Sequence, residues 1–319
     1  MNYFSTGKMP ISHSTKCKFC GSSDQNFFKA KERMLGLGGE FTYSECLSCG
    51  SLQLVTVPDD LSSYYPAGYY SFLELNKSNF LTRALKGLRI RAYLKLGLTF
   101  QAPMYGYWLR KLQPGFSARI ADVGCGNGQL LYELYASGYS DLQGFDPFIE
   151  KDIQIAPGVK LWKGRIEDSA DTFDIIMMHH AFEHMDDPHA VLKVCFEKLN
   201  PGGKLLIRCP VADAEVWKES RELWVQLDAP RHLIIPTVKG LKMKAEQVGF
   251  LLDEIEFDSS DFQFWATELY RRGKILDEEK GSAFLTIKER QSLKEKALQY
   301  NQEGKGDQAC FYFRKPVKS

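Results

Sequence analysis

No stretch of this 319-residue chain approaches the roughly 18 consecutive apolar residues that cross a membrane as a helix. The first residues also lack the apolar core of a secretory leader. Both absences lead to the expectation of a cytoplasmic protein with no transmembrane segment. An excess of charge of one sign is missing too. With 41 basic and 40 acidic residues the formal net charge is +1, which argues against nucleic acid as the main partner. Internal repeats and low-complexity tracts are absent. What is present is a globular composition, 44% hydrophobic and 25% charged. The length suits one large domain plus a small one, or two modest ones. In a reducing compartment the eight cysteines read as thiols or metal ligands rather than disulfides.

The stretch that organises the chain is Asp122-Val123-Gly124-Cys125-Gly126-Asn127-Gly128. Apolar residues precede it (Ile120, Ala121) and an amphipathic run follows (Leu130, Leu131, Leu134, Tyr135). The pattern predicts a buried strand, a glycine turn and a helix, with free N–H groups at the helix N-terminus beside the Asp122 carboxylate. A dinucleotide site would want a third Gly or Ala at position 129, which is Gln129. The alternatives are a degenerate dinucleotide site or a purely structural turn. The D-x-G-x-G-x-G arrangement resembles the first motif of the class I S-adenosylmethionine-dependent methyltransferases.

Further segments carry the same resemblance over residues of roughly 118 to 258. Leu142 to Pro147 reads as a second strand ending in Asp146, about 20 residues beyond the glycines, where an open α/β sheet places a ribose-binding carboxylate; a helix cap is the alternative. A third strand, Val159 to Trp162, leads into Gly164-Arg165-Ile166-Glu167-Asp168. The resemblance implies that Ile166 packs on the adenine and that Glu167 or Asp168 accepts its amine. A fourth strand runs into His179-His180-Ala181-Phe182-Glu183-His184-Met185-Asp186-Asp187-Pro188, similar to the H-x-x-E-H-x-x-D-P segment of many small-molecule methyltransferases. His180 and His184 lack the H-E-x-x-H order of zinc proteases. Leu199 to Leu205 matches the family's L-x-P-G-G-x-L turn. An Asn/Asp-Pro-Pro-Tyr sequence, typical of enzymes that methylate base amines, is not found.

The implied fold is α/β: a Rossmann-like methyltransferase domain with a mostly parallel seven-stranded sheet over 118–319. The cofactor is S-adenosylmethionine, held by Asp122, Gly124, Cys125, Gly126, Gly128, Asp146, Ile166, Glu167 and His179. Cys125, Cys195 and Cys209 also read as core thiols.

Ahead of this domain, Cys17-x-x-Cys20 and Cys46-x-x-Cys49 form two thiolate hooks, each followed by Gly. The loop between them, about 25 residues, is somewhat longer than usual for a ribbon. Four cysteines leave no open position, so a structural zinc is expected in a small domain at 1–60. Residues 61–117 read as a linker. Its aromatic stretch Tyr64 to Phe72 packs between domains or lends a tyrosine hydroxyl to the site. From Lys77 to Arg119 there are basic residues and no acids, with a helical stripe of Leu81, Leu85 and Leu88. Such a run is a solvated face, a seat for a diphosphate, or a contact with an anionic membrane.

On the acceptor side, Trp217, Trp224 and Leu227 to Leu233 fall between a fifth strand, Lys204 to Cys209, and the helix Thr237 to Val248. The segment resembles one in zinc-ribbon-bearing methyltransferases of sugar and surface-polysaccharide pathways. That resemblance implies methylation of oxygen or carbon on a small molecule, a sugar or nucleotide-linked sugar. His180 and His232 are then the candidate bases, with Asp228 or Arg231 orienting hydroxyls or binding phosphate. A mostly helical insert at about 260–307 separates the last two strands and could cover the acceptor or form a homodimer face. RNA or protein methylation, and a non-catalytic cofactor-binding module, are the alternatives.

Overall fold

The computed structural model describes residues 16–65, 75–97, 103–276 and 281–317. Tyr69, Tyr70 and Phe72 of the aromatic stretch lie outside them. The chain opens with strands β1 (Gln25–Lys31), β2 (Glu40–Cys46) and β3 (Leu52–Leu54). Helices α1 (Phe80–Leu96) and α2 (Met104–Leu112) follow. Then come β4 (Arg119–Val123), α3 (Gln129–Ala136), β5 (Asp141–Phe145), β6 (Ile153–Ala156), β7 (Val159–Trp162) and β8 (Phe173–His179). The remainder is α4 (Pro188–Lys198), β9 (Leu199–Pro210), α5 (Glu215–Ser220), β10 (Ile234–Ile235), α6 (Val238–Val248), β11 (Leu251–Phe257), α7 (Phe262–Arg271), α8 (Ile287–Gln302) and β12 (Gln308–Arg314).

The large sheet has eight strands in the order β11-β12-β9-β8-β4-β5-β7-β6. Five of them (β9, β8, β4, β5, β7) pair in parallel, as successive β-α-β crossovers require. The sequence reading expected seven strands. The eighth, β6, is a short edge strand that turns back antiparallel on β7. At four residues, two exposed and two half-buried, it carries no buried-strand pattern. The expected Asn200–Gly203 turn sits inside β9, where pairing with β8 skips from Leu199 to Lys204. Val123, Ile176 and Met178 on one face pack under α4 and α6, against Leu192, Cys195, Leu241 and Ala245. Ile120, Ile175 and Met177 on the other face meet Ile90, Leu109, Leu131 and Leu134 of α1, α2 and α3. This is the Rossmann-like arrangement, with strand C-termini converging on one edge.

The N-terminal sheet has the order β1-β2-β3-β10. Its last strand comes from the far end of the chain: Ile234 and Ile235 pair with Gln53 and Leu52. Trp217 and Trp224 are buried against this sheet with Tyr43, Leu52 and Leu54. The side chain of Thr237, at the start of α6, caps Gly240 N and donates to the Cys49 carbonyl at 2.6 Å. Cys17 and Cys49 sulfurs lie 3.6 Å apart, and those of Cys20 and Cys46 3.4 Å. The two halves are thus joined through a sheet, a core and side-chain bonds.

The strongest single tie is Arg231, whose side chain is fully buried. Its guanidinium donates to Glu32 at 2.7 Å, to Asp228 at 2.6 Å and to the Tyr64 carbonyl at 3.2 Å. Glu32 also accepts from the Leu35 and Leu37 amides. Removing one partner strands a buried charge. Glu32→Ala is therefore expected to cost about 3–5 kcal/mol in urea unfolding, with a conservative Glu32→Gln costing less.

Candidate active site

Everything the sequence placed at the strand ends arrives at one edge of the large sheet. β4 delivers Asp122, buried in its last turn before the glycines. Gly124 has φ +77° and Gly128 φ +78°, values that side chains rarely adopt. A Cβ on Gly124 would sit 2.5 Å from the Ala181 Cβ, and one on Gly128 would meet Leu161 at 2.8 Å. Packing thus dictates both glycines and pins the turn to the segment after β8. The Gly126 amide donates to Asp146 Oδ2 at 2.9 Å, and the Phe148 amide to Oδ1 at 2.9 Å. Burial raises the Asp146 carboxyl, while those two donors pull it back. Burial also drives the Asp122 carboxyl up to about 8, with the neighbouring Asp146 adding to it.

Beside Asp146 an apolar cavity of about 160 Å³ opens between Phe145, Pro147, Ile166, Glu167, Met178 and Val191. Ile166 is buried and Glu167 pairs with Arg165 at 3.4 Å. Cys125 faces inward to the core, its sulfur 2.6 Å from where a Gly144 Cβ would stand. His179 lines neither this cavity nor the polar one described next. Its ring lies 4.1 Å from Trp108 of α2. Both its ring nitrogens are buried with no hydrogen-bond partner among the described residues.

Past the glycine turn, β8 is followed by His180, which holds φ +51°, a strained conformation for a side-chain-bearing residue. The strain aims its ring into a second, polar cavity of about 350 Å³. His232 lines the same cavity, with Asp228, Arg208, Asp258, Gln263 and Asp307. The structure thus brings both candidate bases together. Their hydrogen bonds separate them. Arg208 Nη1 lies 2.6 Å from His180 Nε2, and an arginine can only donate. His180 is therefore neutral, with Nδ1–H turned to Glu183 Oε1 at 3.2 Å; both of its nitrogens are engaged. His232 Nδ1 lies 2.7 Å from the Gln226 carbonyl and must donate to it. That leaves its Nε2 as an acceptor, 4.0 Å from Glu183 and 3.9 Å from Asp228.

Glu183 is fully buried, and its Oε2 has no partner among the described residues. Burial alone would raise this carboxyl, but His180, His232 and His184 outweigh it and hold it at about 2. His184 is driven down to about 4 by burial and by His232. Its Nδ1 meets the Arg231 carbonyl at 2.9 Å and the Tyr65 hydroxyl at 3.1 Å. One donor atom from each of Glu183, His184 and His232 falls within 4.8 Å of the others. Arg231 is unsuited to the phosphate role the sequence suggested, because Asp228, Glu32 and Tyr64 occupy its donors. Arg208, Asp258, Gln263 and Asp307 went unnoticed in the sequence. Three of them sit at strand ends on this same edge: Arg208 late in β9, Asp258 just after β11 and Asp307 just before β12. Those positions were the available signal.

Residues 85–255 match the family described as "Methyltransferase domain". The chain belongs to that family. It is 29% identical over 157 residues to a tRNA U34 carboxymethyltransferase of Sulfurovum sp., covering 44% of this chain and 50% of that one. It is 32% identical over 114 residues to a ubiquinone biosynthesis O-methyltransferase of Idiomarina loihiensis, covering 32% and 46%. The chain spans about half the length of these curated relatives. Among solved structures, an S-adenosylmethionine dependent methyltransferase from Mesorhizobium loti aligns over 67% of this chain and 99% of its own, at 16% identity and a TM-score of 0.44. None of the helices among the described residues is long and apolar enough to cross a membrane.

The raised Asp122 carboxyl has a consequence for stability. Folding lifts its pKa, so the folded state keeps a proton that the unfolded chain releases near pH 4. Stability must then fall as pH rises from there to about 8. Asp122→Asn is expected to flatten that loss and to raise the urea midpoint of the ligand-free protein at about pH 8, compared with the native chain in parallel titrations.

Proposed function

We propose that this enzyme methylates oxygen or an activated carbon of a small polyhydroxylated molecule, a sugar or nucleotide-linked sugar, with His232 as the base. The observation that carries the reading is the polar cavity. Three carboxylates line it (Asp228, Asp258, Asp307), with the Gln263 and Gln308 amides and the Ser260 hydroxyl. Its one arginine, Arg208, is already paired with Asp258 at 2.6 Å. Carboxylates and amides suit hydroxyl groups and repel a polyanionic backbone. A relative named for tRNA keeps nucleic acid among the acceptors to be tried, against the expectation from net charge.

The residues fit S-adenosylmethionine. Asp146 would accept the ribose hydroxyls, and Ile166 and Glu167, which line the apolar cavity, would meet the adenine. The buried carboxyl of Asp122 and the orphaned nitrogens of His179 offer unspent polar capacity on the other side of the turn. When bound, the cofactor supplies a methyl group on sulfonium sulfur, electrophilic without further activation. The chain's task is to align the acceptor, exclude water and remove a proton. His232 Nε2 takes that proton as the acceptor atom gains its methyl group. Glu183 and Asp228, about 4 Å away, stabilise the imidazolium so formed. His180 does not serve as base here; it keeps Glu183 and Arg208 in place. The α7 segment (Phe262, Gln263, Tyr270) closes the cavity from above.

His232→Ala is expected to lower kcat by about 10²–10⁴-fold while leaving S-adenosylmethionine affinity within a few-fold. S-adenosylhomocysteine release across nucleotide sugars, free sugars, quinol precursors and tRNA measures it. Turnover on tRNA alone, or unimpaired turnover in the variant, would overturn the assignment.

We further propose that Cys17, Cys20, Cys46 and Cys49 hold a structural zinc. Their sulfur separations of 3.4 and 3.6 Å approach the 3.8 Å or so of tetrahedral thiolates at about 2.3 Å from a metal. Four thiolates leave no open position, so the ion has no part in proton or methyl transfer. The purified protein is expected to carry one zinc per chain by elemental analysis. Cys20→Ser should lose it and lower the thermal midpoint.

A further inference from the structure

One feature of the molecule lies outside the site and is absorbed by none of the chemistry above. Helix α1 is capped at both ends, by Asn79 Oδ1 accepting from Thr82 and by Gly97 in the left-handed region. Its inner face is buried: Gly87, Ile90 and Tyr93 pack against α2 and α3. Its outer face should then be polar. Instead Phe80 is 73% exposed, Leu81 72%, Leu85 67%, Leu88 66% and Leu96 71%. Residues 81, 85, 88 and 96 recur at helical spacing, so they form one continuous apolar stripe. Arg89, Arg91 and Lys95 are exposed beside it, and no acidic residue occurs from Lys77 to Arg119.

We propose that α1 is a membrane-surface helix. It lies in the interface of an anionic lipid bilayer, with the leucine stripe in the acyl boundary and the flanking cations among lipid phosphates. Two observations choose this occupant over others. A second copy packed on the stripe would bring Arg89, Arg91 and Lys95 against their own kind, with no acid in the segment to answer them. A nucleic acid would use the cations but has no use for five large apolar side chains that are at least 66% exposed. The anionic surface satisfies both halves of the pattern. The helix is also coupled to the site. The Asn76 amide donates to Gln129 and the Ser78 amide to the Tyr132 hydroxyl, both on the helix that begins at the glycine turn. Lys86 is paired with Glu133 of the same helix at 2.6 Å. A membrane contact at α1 therefore fixes how the cofactor turn faces the bilayer.

The test is co-sedimentation of the full-length protein with phosphatidylcholine vesicles, with and without phosphatidylglycerol. The expected result is binding to the anionic vesicles that weakens with salt and is slight on the neutral ones. A Leu81→Ser/Leu85→Ser/Leu88→Ser variant should lose affinity by about tenfold per leucine. Arg89→Glu/Lys95→Glu should lose the dependence on lipid charge. All these positions are on the surface, and S-adenosylmethionine binding confirms that each variant is folded. Failure to bind anionic vesicles, or binding unchanged by the leucine variant, would overturn the proposal. So would a dimer in light scattering that the leucine variant dissociates, or a tRNA complex lost only in the charge variant. None of these outcomes depends on the acceptor, so the cavity assignment stands or falls separately.

Discussion

A buried guanidinium holds this protein together. Arg231 stands between Glu32, from the cysteine-bearing sheet, and Asp228, on the loop that presents His232. Its cost in desolvation is met by donors that all find acceptors, which is the condition under which a buried charge is tolerated. The next residue along is His232, and the backbone carbonyl of Arg231 itself orients His184. The placement of the imidazole therefore follows from the salt-bridge geometry one residue earlier. The Tyr43 hydroxyl, from the N-terminal sheet, donates to the His232 carbonyl at 2.8 Å and reinforces the same link. The cysteine-bearing segment is thus tied directly to the loop that carries His232.

Electrostatics then differentiates histidines that look alike on paper. Each is within reach of Glu183, yet their other contacts assign them separate states. Arg208 fixes the tautomer of His180, and a backbone carbonyl fixes that of His232. Burial keeps His184 neutral.

Much of this was legible in the sequence, for identifiable reasons. Strands with both faces buried announce themselves as apolar runs, as in β4, β8 and the 205–207 stretch of β9, while the half-buried β5 and β7 are legible mainly from their place after the glycine turn. The glycine turn is legible as a bend, but its reason is not: Ala181 and Leu161 leave no room for a side chain at Gly124 and Gly128. The strand β6 and the two-residue β10 escaped because neither has a periodic pattern long enough to see. The leucine stripe of α1 was visible, but periodicity says only that a face is apolar, not that it points outward. Arg208 and Asp258 were missed since a lone charge late in a strand carries no motif. Their partnership exists only once β9 and β11 are both in the sheet. The ranking of His232 over His180 lay out of reach for the same reason: it depends on which atoms their nitrogens meet.

The pairing of Ile234 with Gln53 has an implication for biosynthesis. A nascent chain emerges from its N-terminus, so β3 is made long before β10 exists to cover it. Throughout the synthesis of the intervening segment, the open side of β3 offers unsatisfied amides and carbonyls to any passing strand. Both cysteine pairs precede β3 in the chain, so the zinc proposed above would hold the young sheet in register until the last third of the polypeptide arrives to seal it.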